Sequence, residues 1–155
     1  MKKILILLCL LAFVGCKTKK TTARPTTETK ATRISMDKVD VEQKKKAYDL
    51  GKRVLLTCNT SRFKKFSASE ATPEVIKNTT EERLTKTCHN FRQKYGEFKE
   101  IRLVEVLRNK KEKLTIYRYK ADYSKKIANK ELRVMMNDNN QVAAIKSLDW
   151  KDSYN

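Results

Sequence analysis

Apolar residues follow three rhythms along this chain, and each rhythm marks a different kind of segment. Residues 4–15, ILILLCLLAFVG, form one greasy run behind Lys2 and Lys3. The run is shorter than the ~20 residues that span a bilayer, but it has the length and positive flank of a signal-peptide core. Residues 17–35 then offer almost nothing to bury, and their Thr, Lys and Pro content predicts a disordered tether. Between 39 and 59 the positions Ala47, Tyr48, Leu50, Val54, Leu55 and Cys58 recur at steps of three and four, with Lys44, Lys45, Lys46, Lys52 and Arg53 between them. That spacing predicts an amphipathic helix with Cys58 on its buried stripe. Thr72-Pro73-Glu74 reads as the cap and first turn of a short helix. Thr79, followed three residues later by Glu82, reads as a capping box opening a third helix that ends at Gly96, with Leu84, Cys88, Phe91 and Tyr95 as its stripe.

After Gly96 the period changes to two. The runs EFKEIRLVEVLRN, KLTIYRYKADY, KELRVMMN and QVAAIKSLDW predict four strands, and the short polar connections between them favour an antiparallel meander. In the second strand Tyr117, Tyr119, Ala121 and Tyr123 fall on one side and Arg118, Lys120 and Asp122 on the other; in the third, Leu132, Val134 and Met136 oppose Arg133 and Met135. The predicted class is therefore α+β, with N-terminal helices packed on the aromatic face of a four-stranded antiparallel meander. The predicted organisation is a signal peptide over 1–15, Cys16 with a basic tether over 16–36, and one domain over 37–155.

The cysteines sharpen this picture. Of the four, Cys9 lies inside the greasy run and Cys16 closes it, which leaves Cys58 and Cys88 on the apolar faces of two helices. They are a candidate disulfide, worth roughly 3–4 kcal/mol in the chain-entropy model, with two buried thiols as the alternative. They make a poor metal site, since the one nearby imidazole, His89, does not complete a four-ligand cage. His89 is also one helical step, about 100°, from Cys88, so the pair cannot face each other as nucleophile and base. No GxSxG elbow is present, and the three glycines are too scattered to cradle a phosphate. The sequence thus points to no catalytic residue and implies no cofactor.

Charge adds a class of partner. Thirty-six basic residues stand against 18 acidic ones, a net +18, and the 17–35 segment alone holds six basic residues against Glu28. Such a balance favours anionic surfaces such as lipid head groups or acidic polymers, although a lysine-rich surface also serves plain solvation. Cross-strand alternation would gather Arg118, Lys120, Arg133 and Lys146 into a candidate anion-binding face, diluted by Glu131 and Asp122.

Two resemblances add expectations. The segment FVGC, ending at Cys16, resembles a bacterial lipobox, in which the cysteine receives lipid and becomes the mature N-terminus. This implies membrane attachment through lipid at Cys16 in the bacterial cell envelope. The absence of an aspartate at Lys17, and of acids in CKTKK, points to the periplasmic face of the outer membrane, where no nucleic acid partner is expected. The order of helices ending in KYGEF, then four strands closing on LRVMMNDNNQVAAIKSLDW, resembles the nuclear-transport-factor-2-like or cystatin-like cone, and within it a bacterial domain family of unknown function. Gly96, the Phe63 and Phe66 pair and the polar last turn carry that likeness. It implies a cavity, for which Tyr117, Tyr119 and Tyr123 are the candidate lining and Phe91, Met136 and Trp150 the candidate filling. The expected function is a non-catalytic module binding a protein partner or an anionic envelope component, as a monomer or a dimer. The alternatives are a small-molecule carrier or enzyme using a tyrosine-lined cavity, and an anion binder using the basic face.

Overall fold

The computed structural model describes residues 31–154, so the greasy run, Cys16 and most of the tether lie outside the described residues. The order is β1 (Thr32–Ile34), a 3-10 turn (Met36–Lys38), α1 (Val41–Thr60), α2 (Pro73–Asn78), α3 (Glu81–Tyr95), then β2 (Phe98–Asn109), β3 (Leu114–Tyr123), β4 (Lys130–Asn137) and β5 (Val142–Asp149). All neighbours in the sheet are antiparallel, in the order β1-β2-β3-β4-β5. The α+β class and the meander are those expected, but the sheet has five strands rather than four. The extra strand, β1, falls within the segment read as tether. Three residues are too few to show a period, and β1 forms because its partner β2 is already in place: Arg33 pairs with Glu105 while Ile34 packs on the core.

Local chemistry sets the helix ends. Asp40 caps α1 by accepting from the Gln43 N–H at 2.6 Å, and Thr72 caps α2 ahead of Pro73. The cap of α3 is Thr80, one residue later than the capping-box pattern suggests, because Thr79 already terminates α2 by donating its N–H to the Val75 carbonyl at 2.8 Å. Gly96 ends α3 with φ 79°, a left-handed value that favours glycine.

Helix α1 lies directly on the sheet through Ala47, Leu50, Gly51 and Leu55. A Cβ at Gly51 would stand 2.8 Å from Val134 Cγ2 and 2.9 Å from Leu132 Cδ2, so the missing side chain is what lets helix and sheet come this close. Helix α3 packs on α1 and reaches the sheet mainly at its C-terminal end, where Phe91 and Tyr95 meet Tyr123, which in turn meets Phe98. The opposite face of the sheet is not a solvated charged surface. Leu107, Ile116 and Met135 make a second small core there, flanked by Ala31, Leu114, Ala144 and Tyr154.

Candidate binding clefts beside the Cys58–Cys88 bridge

Cys58, near the end of α1, and Cys88, midway along α3, form the disulfide expected from their apolar stripes, with Cα atoms 4.6 Å apart. Only Cys88 and Tyr95 are buried on α3, so this helix is held at two points, the bridge and the aromatic cluster below it. A cleft opens on each side of the bridge. On the sheet side is an apolar cleft of about 170 Å³, walled by Val54, Leu55, Leu84, Phe91, Leu132 and Ile145. On the outer side is a polar cleft of about 340 Å³, where Ser61, Thr85, His89, Arg92 and Gln93 surround the bridge. At ~30 Å³ per water-sized group, the apolar cleft has room for a handful of heavy atoms, the scale of one branched side chain or a short alkyl segment.

The tyrosines proposed as cavity lining do face the helices, but they fill space instead of bounding a cavity. Tyr117 is fully buried and donates to Gln43 Oε1 at 3.0 Å, Tyr119 packs edge-on against Tyr48, and Tyr123 sits among Phe91, Tyr95 and Phe98. None of the three lines either cleft beside the bridge. Burial pushes all three phenols up, Tyr123 to about 12, so they stay neutral and cannot serve as bases near pH 7. Of the residues expected to fill the interior, Met136 and Phe91 do so, whereas Trp150 lies on the far side, its ring 4.8 Å from the Arg118 guanidinium carbon.

The proposed anion-binding face is corrected in the same way. Arg118 is 0 % exposed. Its guanidinium makes a bidentate pair with Glu131, both bonds 2.7 Å, and a further bond to Glu105, and donates to the Lys151 carbonyl at 2.7 Å. Arg133 is also buried, bonded to Glu131, with its guanidinium 4.5 Å from the Tyr154 ring centre. Two acids and the segment 150–154 thus consume the charge that alternation had assigned to the surface. Lys120 lies partly beneath Trp150, and of the four residues only Lys146 is exposed.

No imidazole, thiol or hydroxyl among the described residues is arranged as a nucleophile with a base and an orienting group. His89 is exposed on the rim of the polar cleft. Among the described residues no group of three His, Cys, Asp or Glu could hold a metal ion, and no helix is long and apolar enough to cross a membrane. The outer cleft was missed in the sequence, although Thr85, His89 and Arg92 follow the same three- and four-residue steps that flank Cys88. No family model matches the chain, and neither the curated proteins nor the solved structures contain a match.

Proposed function

We propose that this chain is a lipid-anchored envelope protein whose α+β domain is a non-catalytic binding module, seating an apolar group of its ligand in the cleft beside the Cys58–Cys88 bridge. One observation carries the reading: the two helices that wall this apolar cleft are tied to each other by a covalent bond, and the cleft faces no catalytic constellation. Binding sites of this kind are apolar clefts with few polar groups, whose walls exist before the ligand arrives. The anchor rests on FVGC and the greasy run before it. A tyrosine-lined catalytic cavity has less support, because those phenols are neutral and packed.

Two measurements test the two halves separately. In cells fed a fatty-acid analogue, Cys16→Ala is expected to abolish labelling, and persistent label would overturn the anchor. Native mass spectrometry of a chain beginning at Lys17 is expected to show an added mass that denaturation releases and that Leu84→Trp, which fills the cleft, removes. A bare mass from the unsubstituted chain would overturn the cleft reading and leave the anchor standing.

A further inference from the structure

The position of β1 fixes where the N-terminal segment leaves the domain. Its register is Thr32↔Arg108, Arg33↔Leu107 and Ile34↔Val106, antiparallel to β2. The backbone upstream of Thr32 therefore runs past Arg108 toward the turn that joins β2 to β3. This exit point is held firmly: Arg33 bonds Glu105 at 2.6 Å, Ile34 packs on the main core, and Ala31 packs on the second one. Fifteen residues separate Cys16 from Thr32. The twelve residues of β2 extend for about 40 Å. A chain fixed to a membrane at Cys16 is thus tethered by its β2–β3 end, with the β3–β4 loop at the other end of the long strands, further from the point of attachment.

The near end carries matching chemistry. Lys110, Lys111 and Lys113 are all exposed in the four-residue turn. The one acid among them, Glu112, has its carboxylate tied back to Asn109 Nδ2 at 3.0 Å, and its N–H donates to Asn109 Oδ1 at 3.1 Å. The neighbouring Asp138 is already paired with Arg108 at 2.8 Å. The turn therefore carries three ammonium groups against one carboxylate, a net +2, at the end from which a basic segment emerges.

We propose that this end of the sheet is a membrane-facing surface, docking on an anionic phospholipid bilayer through Lys110, Lys111 and Lys113. The orientation rests on the lipid-anchor reading above. The far end supplies an internal control, because its loop also holds two lysines, Lys125 and Lys126, beside Ile127, which is 72 % exposed. Charge alone would favour neither end; the exit of the chain does.

The test attaches the protein to vesicles chemically, so that it does not depend on lipidation in cells. All the packing described lies within residues 31–154, so a chain beginning at Cys16 retains the whole fold. With Cys58 and Cys88 bonded to each other, the Cys16 thiol alone reacts with a maleimide phospholipid. Lysine acetylation is then followed by mass spectrometry on phosphatidylcholine vesicles with and without phosphatidylglycerol. The expected result is that Lys110, Lys111 and Lys113 react about fivefold more slowly on the anionic vesicles only, the scale of one lysine's attraction to such a surface, while Lys125 and Lys126 are unchanged. Equal rates at both ends, slowing at Lys125 and Lys126 instead, or equal slowing on neutral vesicles would each overturn the proposal. Fatty-acid labelling that persists in Cys16→Ala would bear on the anchor alone, because the coupled chain reports the docking end whether or not the cell adds lipid.

Discussion

At the scale of single residues, the most consequential group is Glu131. Burial alone would push its carboxyl up, but hydrogen bonds from Arg118 and Arg133 outweigh that, and the net displacement is below the usual carboxylate range. One carboxylate therefore holds two buried guanidiniums in place. Glu131→Gln keeps the shape but removes the charge both arginines depend on, and it should cost about 3–5 kcal/mol in urea unfolding. Lys146→Ala, at an exposed position on the adjacent strand, should stay within about 0.5 kcal/mol. A Glu131→Gln variant as stable as the parent would show that the network is not needed for folding. The period-two pattern correctly put Arg118, Arg133 and Lys146 on one face. It could not show depth, because depth there depends on Trp150 and Tyr154 folding back over the arginines.

At the scale of elements, α3 is the part most dependent on one bond. Most of its residues are exposed, and the bridge closes a 30-residue separation that the chain-entropy model values at about 3–4 kcal/mol. Cys58→Ser with Cys88→Ser should lower unfolding stability by about that amount and speed amide exchange along α3 before it does so in β3 and β4. Uniform exchange across helix and sheet would mean that α3 docks without the bridge. The helix itself, its stripe and its glycine stop were legible because a 3.6-residue period runs through fifteen residues. Its first residue was not, since Thr79 and Thr80 are both good caps and the choice depends on how α2 ends. Strand β1 was illegible for a related reason: without the edge of β2 beside it, a Thr-Arg-Ile triplet has no preference strong enough to read.

At the scale of the whole molecule, stability should weaken in acid. The Arg53 hydrogen bonds hold the Glu70 carboxyl at about 2, and hydrogen bonds led by Lys52 hold Glu100 at about 2, both below the ordinary 4.5. Hydrogen bonding from Lys130 lowers Asp149 as well. A carboxyl held lower in the folded than in the unfolded chain contributes fully above its unfolded value and loses that contribution as pH falls through the folded one. The melting temperature should therefore vary little with carboxyl titration above pH about 5 and drop between about 4.5 and 2. Arg53→Met should shrink that drop by returning Glu70 toward its ordinary value. A melting temperature unchanged down to pH about 2 would show that these pairs persist in the unfolded chain. Glu70 ties the loop between α1 and α2 back to α1, Glu100 joins the start of β2 to α1, and Asp149 joins β5 to β4, so the acid-sensitive contacts are spread over the domain.

The sequence by itself determined the helices, the four long strands, the side of β3 and of β4 that meets the helices, and the placing of Cys58 and Cys88 on apolar helix stripes, because these follow from periods and stripes carried within each segment. Only the tertiary structure decided which polar residues reach solvent and where open space remains. Arg118 and the three tyrosines became packing because neighbouring strands, α1 and the residues after β5 cover them. The clefts lie beside the bridge instead, along the seam between α1 and α3. Burial and cavities are sums over elements brought from distant parts of the chain, and no local pattern carries that sum.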